Sequence, residues 1–573
     1  PGVDIVAAKA RNGQIGTPVD EGHVALSGTS MATPHVAGAA AVLASQHPSW
    51  KAGDLKAALM NSAKPNPSLT VYEQGAGRLD VGRAVSSAVS TSAGSLSLGT
   101  ALWPHGDDKP ITQKLTYRNS GTADVTIDLS VAEVKPAGSV FSVSPSKLTV
   151  PAGGSADAVV TADTRAAAPD GIYGAVVLSS DGVRVPVGVV KEVESYDVKL
   201  TFLDRDGKPT PDYTYRFVDV SQPMAYFRTD PSGTLVQRLP KGTYFLDGSI
   251  YTPPADPAQR GTSTALTEPA IEVTGNTDLV FDARQANQPS ITVEAKDAAP
   301  ASAEMGFNME ANWGSTGSTW IIGKFDNFFV RPSKTSWPKF RFFAQSVLAR
   351  PDGNGFFDGS PYQYHVQIFE NGRVPADVQR SVKDRELAQV NSVTHARVPG
   401  SIGQRDNGAS GPLPLRLKEF YTPDVDWPGS LTEFAKLGEY PGHGYQFSAQ
   451  PRVFKLGRPV VEHWNSAVYG PGVPNDPRYV RFAGRQGNVL RLDVPIFGAQ
   501  GMAGGSEHTG RTTVTLDGKV ISDRPYAGSA RIPNVPAEKK RYTAHVEATR
   551  DSQSSQITAD WQFTSEFVAG EDY

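Results

Sequence analysis

Apolar positions fall into two regimes along this chain. From Val36 to Ala44 every residue is apolar or small, a run that predicts a helix buried on all its faces. A second helix is expected from Asp54 to Ala63, with Leu55, Ala58, Leu59 and Ser62 on one face. His47-Pro48-Ser49-Trp50 forms the turn between them, and Asp80 is placed to cap a short last helix through Val85 and Ala88. Beyond about residue 95 the period shortens to two. Val125, Ile127, Leu129 and Val131 alternate with polar neighbours, and so do Tyr542, Ala544, Val546 and Ala548. Asn119-Ser120-Gly121, Asp204-Arg205-Asp206-Gly207 and Asp230-Pro231-Ser232-Gly233 read as turns, and Thr512 to Val520 as a hairpin.

These regimes divide the chain. Residues 1–88 form an α/β segment, and the small polar stretch at 89–95 reads as a linker. Mainly-β sandwich domains follow at 96–192 and 193–285. An aromatic-rich β domain without visible relatives spans 286–505, and 506–573 reads as another sandwich that is open to being cut short at Tyr573. Trp313, Trp320, Phe325, Phe328, Phe329, Trp337, Phe342, Phe343, Phe356, Phe357, Trp427 and Trp464 crowd the aromatic domain. Such side chains either fill a large core or stack on a sugar or protein ligand, and core packing is the favoured reading.

Length and composition narrow the function classes. At 573 residues there is room for about three to five domains. With 56 Gly and 44 Pro, the chain has the turn density of β structure. A net charge of −4 points to neither a nucleic-acid nor an anionic-membrane partner. The absence of Cys removes disulfides, thiolate catalysis and Cys-ligated zinc. No apolar run approaches a membrane span.

The densest chemistry lies in Ser27-Gly28-Thr29-Ser30-Met31-Ala32-Thr33-Pro34-His35-Val36-Ala37-Gly38. A Gly-bearing turn delivers Ser30 to the first turn of a helix, where backbone N–H groups have no intrahelical acceptor. The Ser30 N–H can then donate to an oxyanion, and the helix dipole adds positive charge at the same point. Pro34 is tolerated because its missing N–H would be unpaired there anyway. A plain capped Gly/Ala helix is the alternative reading of such a run. From Gly28 to Gly38, however, the string resembles the nucleophile motif of the subtilisin-like serine proteases nearly residue for residue. Pro1-Gly2-Val3-Asp4-Ile5 resembles the strand before the serine, and Gln74-Gly75-Ala76-Gly77-Arg78-Leu79-Asp80 the segment that closes the catalytic domain.

The resemblance covers residues 1–88 and implies the C-terminal part of an α/β subtilisin-like catalytic domain. It makes Ser30 the nucleophile, with Gly28 and Thr29 shaping the attack site. The family's Asp, His and oxyanion Asn precede the serine in chain order, so they would lie upstream of Pro1. His35, five residues past Ser30 and about 140° round the helix, points away from the hydroxyl, and His23 in the preceding loop is a poor substitute. Val143 to Gly154 resembles the fibronectin-III-like module that follows such catalytic domains. Residues 196–284 resemble the carboxypeptidase-regulatory-like, prealbumin-type sandwich.

No cofactor is certain from the sequence, and a structural calcium ion stays open: Asp204 with Asp206, and Asp352-Gly353-Asn354-Gly355 with Asp358, could bind one, although turns explain both better. Two functions therefore stand at this level. One is a secreted, bacterial serine endopeptidase that takes protein or peptide substrates. The other is a non-catalytic β-rich array that binds cell-wall, glycan or protein ligands.

Overall fold

The computed structural model describes residues 2–11, 15–20, 22–166, 169–437, 444–448, 451–472, 483–499, 502–506, 508–551 and 554–569. The chain divides into two compact units, the first comprising residues 1–197, 238–241 and 274–276.

The first unit opens with a three-stranded antiparallel sheet, Ile5–Ala8 and Thr17–Pro18 flanking His23–Leu26. Four helices follow: α1 (Thr29–Gln46), α2 (Ala52–Asn61), α3 (Val71–Gln74) and α4 (Val81–Ser86). Asp80 caps α4 by accepting the Arg83 N–H at 3.0 Å, as its side-chain chemistry leads one to expect. The expectation of a helix buried all round is corrected at α1. Ala39 and Leu43 pack with Ala58, Leu59 and Ala84, whereas Val36 and Val42 are 47% and 44% exposed. An apolar composition allows burial on every face, but burial needs a neighbour on each, and α1 has neighbours on one side among the described residues.

Two sheets form the sandwich of this unit. One has the order Val89–Thr91, Ile111–Asn119, Ser155–Ala162, Phe141–Ser144, and the other Leu96–Ala101, Arg184–Lys191, Gly171–Ser179, Val125–Lys135, Lys147–Val150. Between them lie Leu115, Tyr117, Ile127, Val150, Val160, Tyr173, Val177 and Val185. The linker expected at 89–95 is corrected in part: Val89–Thr91 pairs with Tyr117 to Asn119, and Val89 and Thr91 both point into buried surroundings. With a single apolar residue in this strand, its alternation is invisible to a hydrophobicity count.

Two contacts stand out among those that fasten the helical segment to this sandwich. Asn61, buried at the end of α2, accepts the Thr91 N–H at 3.0 Å and donates to the Arg184 carbonyl at 3.1 Å. Tyr72 of α3 lies over the five-stranded sheet and donates its hydroxyl proton to the Tyr173 carbonyl at 3.0 Å. Gly174 and Gly188 form the floor beneath it. A Cβ at Gly188 would fall 2.3 Å from the Tyr72 hydroxyl, and one at Gly174 would fall 2.9 Å from its ring, so only glycine admits the ring at this depth.

Among its described residues, the second unit is built from strands apart from short 3₁₀ turns. A five-stranded sheet runs Ala225–Tyr226, Tyr213–Asp219, Gly242–Thr252, Thr262–Val273, Phe328–Val330. A seven-stranded sheet runs Gly314–Ile321, Ala299–Ala311, Phe340–Ala349, Tyr362–Asn371, Leu415–Tyr421, Ala388–Thr394, Val460–Trp464. Phe245 of the first and Phe307, Phe340 and Phe342 of the second share one core. The boundary expected at 285/286 therefore separates no independent cores, and Phe328–Val330 even joins the earlier sheet by pairing with Ser263 to Ala265. The boundary at 505/506 also moves: Ala483–Gln486 pairs with Val489–Asp493, which pairs in turn with Ser529–Ile532, and Leu490 and Leu492 pack against Val514, Tyr542 and Ala544. The expected hairpin is Thr509–Leu516 with Lys519–Arg524. Among the aromatics, Trp464 is fully buried and Trp427, Phe325, Phe328 and Phe342 are buried, while Phe356 stays exposed. Core packing accounts for most of them.

Candidate functional site

The N-terminus of α1 is fixed by backbone geometry. Gly28 donates its N–H to the Gly2 carbonyl at 2.7 Å, and its own carbonyl accepts the Met31 and Ala32 N–H groups at 3.1 and 3.3 Å. Asp4 donates its N–H to Ser27 Oγ at 2.9 Å. These bonds hold the strand before the helix against the turn that starts it. Ser30 is exposed in the first helical turn. Among the described residues, neither its hydroxyl nor its N–H has a hydrogen-bond partner, which is the state an oxyanion donor at a helix start should have. Thr29 accepts the Thr33 hydroxyl proton at its carbonyl, 2.9 Å away.

Both nearby histidines are engaged elsewhere. His35 donates from Nδ1 to the Met31 carbonyl at 2.9 Å on its own helix. His23 pairs through Nδ1 with Asp20 at 2.8 Å, and His23 together with the Gly22 N–H holds the Asp20 carboxyl below the usual carboxylate range.

In each of the two calcium candidates one carboxylate oxygen is already used by the turn itself. Asp204 Oδ1 accepts the N–H groups of Asp206 and Lys208, both at 2.9 Å. Asp352 Oδ1 accepts those of Asn354 and Phe356 at 2.8 and 3.1 Å.

A cluster the sequence reading missed lies buried in the second unit. His365, Asp406 and Glu419 bring one ligand atom each within 4.8 Å of one another. Arg405, with no exposed surface, sets its Nη2 3.3 Å from both Glu419 Oε1 and Asp406 Oδ2, and its plane covers Trp464 at 3.8 Å. The two oxygens that would face a metal ion thus already face a guanidinium, and the donor set does not fit a divalent cation. Gln363 accepts the Ala409 N–H at Oε1, which aims its Nε2 at His365 Nε2, 3.0 Å away. Burial pushes the Glu419 carboxyl up, but Arg405, His365 and Arg452 outweigh it and hold it well below the usual range. Burial and the Glu419 charge push the Tyr421 phenol well above its ordinary value. The arrangement is a structural ion-pair node. Its residues come from three separate stretches of the chain, and only the fold could have grouped them.

Comparison with known proteins bears on the first unit. Residues 3–77 match the model of the subtilase family. Subtilisin-like protease SBT1.6 of Arabidopsis thaliana is 39% identical over 102 residues, which cover 15% of this chain and 13% of that protein. The minor extracellular protease Vpr of Bacillus subtilis is 32% identical over 187 residues, 30% of this chain and 23% of that protein. The chain thus spans less than a quarter of the length of either relative. Among solved structures, the Bacillus anthracis TIE protein aligns over 67% of this chain and 76% of its own, at 10% identity and a TM-score of 0.15. No helix among the described residues is long and apolar enough to cross a membrane.

Proposed function

We propose that residues 1–88 are the C-terminal part of a subtilisin-like catalytic domain, and that the parent protein is a secreted serine endopeptidase carrying downstream β-modules. The carrying observation is Ser30, which is exposed at the first turn of α1 with hydroxyl and N–H both unpaired among the described residues, inside the stretch that matches the subtilase family. In this reading Ser30 Oγ attacks the peptide carbonyl, and the Ser30 N–H with the α1 dipole stabilises the oxyanion. The base takes the serine proton and hands it to the amine that departs as the C–N bond breaks, and water then hydrolyses the acyl-enzyme. Gly28 and Thr29 shape the approach. The base, its orienting carboxylate and the oxyanion Asn come from chain upstream of Pro1, and the exposed apolar face of α1 is where that upstream part would pack. The extracellular relative from Bacillus subtilis supports secretion.

A fluorophosphonate probe tests this reading, because it reacts only with a base-activated serine. The chain alone should stay unlabelled, since its hydroxyl keeps its proton. Labelling should appear when the upstream part is supplied, and Ser30→Ala should abolish it. In the assembled enzyme Ser30→Ala should lower kcat by about 10⁶-fold, the size that loss of the serine has in subtilisin. Near-normal turnover by that variant refutes the assignment.

A further inference from the structure

We propose that His395 and His463 form a surface site for a borderline divalent metal ion such as zinc, copper(II) or nickel. Nε2 of His395 stands 3.3 Å from Nδ1 of His463, with the rings 18° from parallel. Two imidazole nitrogens bound to one tetrahedral zinc, each at about 2.0–2.1 Å, lie about 3.3 Å apart. The pair already has the separation that a shared ion requires.

Backbone, rather than flexible side-chain reach, sets this spacing. His463 lies within Val460–Trp464, which runs parallel to Ala388–Thr394 with Val393 opposite His463. His395 follows that second strand directly and donates its N–H to the Trp464 carbonyl at 3.0 Å. The ladder therefore brings the two rings together on neighbouring strands. Both side chains reach solvent, so water can fill the remaining coordination positions. The donors are imidazole nitrogens, a ligand type that suits zinc, copper and nickel rather than calcium or magnesium. The buried His365 cluster differs in this respect, since it contains its own guanidinium.

Val460–Trp464 ends the order of the seven-stranded sheet. An ion shared by the two histidines would tie this edge strand to its neighbour. It would bind the folded chain in preference to the unfolded one, so it should raise the melting temperature as its concentration rises.

Titration calorimetry of the intact chain with zinc chloride, alongside His395→Asn and His463→Asn, tests the site. The parent chain should bind one zinc ion that each variant loses, and calcium chloride should give no heat. Cobalt(II) should give a visible absorption band with the parent chain that both variants lack. Zinc should raise the melting temperature of the parent chain and leave that of the variants unmoved. His395 lies just past the end of its strand, so His395→Asn carries the test if His463→Asn fails to fold. Equal zinc binding by parent and variants overturns the proposal, as does no binding by the parent at about 1 mM, the weak end of specific affinity.

Discussion

His545 shows how strongly one exposed side chain feels its neighbours across a sheet. Its Nδ1 meets Asp560 at 2.7 Å and its Nε2 meets Glu547 at 3.4 Å. Asp560, and then Glu547, raise its pKa above the ordinary histidine value. The charged form is favoured in the fold, so its stabilising effect is full below the unfolded-state pKa and is lost as pH rises through the raised one. An NMR titration should place the His545 midpoint above that of a free histidine, and Asp560→Asn should bring it down. A midpoint unmoved by Asp560→Asn would contradict the pairing. At the other extreme of burial, Arg405→Met leaves Glu419 and Asp406 without their shared guanidinium. The loss should be about 3–5 kcal/mol, as when one partner of a buried pair is removed. Urea unfolding of the variant measures it. A loss under about 1 kcal/mol, the value of an exposed pair, would show that the node tolerates an unpaired carboxylate.

At the scale of elements, α2 is held to the sandwich by one buried amide. Asn61→Leu keeps the branched outline of the side chain but leaves the Thr91 N–H and the Arg184 carbonyl unpaired in buried surroundings. Each such group costs about 1–3 kcal/mol. Hydrogen exchange should therefore show the Thr91 amide losing protection first, and retained protection would mean that another acceptor replaces Asn61. This joint was not legible in the sequence, because an Asn at a helix end reads as a cap or a solvent-facing residue. Elements with strict alternation were legible. Val125 to Val131 and Tyr542 to Ala548 are strands in the structure, since one buried face imposes a period of two on the side chains. Boundaries between modules were not. Phe328–Val330 pairs with Ser263 to Ala265 and Val489–Asp493 with Ser529–Ile532, and no local pattern encodes a partner at that distance. At the candidate site, Ser30 and its turn stood out because every part lies within a dozen residues. The node of His365, Arg405, Asp406 and Glu419 is assembled from three separate strands and their turns, and was invisible for that reason.

For the molecule as a whole, strands dominate, and helices longer than one 3₁₀ turn are confined to residues 29–86 among the described residues. A fragment starting at Ala88, just before the first strand of the sandwich, should give a far-UV circular dichroism spectrum of β type without helical minima. Helical character in that fragment would contradict the strand assignment beyond α4.

Tyr72 and the two glycines beneath it carry a different consequence, one for anyone who would rearrange this protein. The ring and its floor form a lock whose halves lie about a hundred positions apart, so neither half can be exchanged alone. A foreign sandwich of the same topology, grafted after residue 88, would arrive with side chains where Gly174 and Gly188 now leave room, and the ring could no longer lie on the sheet. A successful chimera would have to carry the glycines with it, or give up the tyrosine and accept a looser joint.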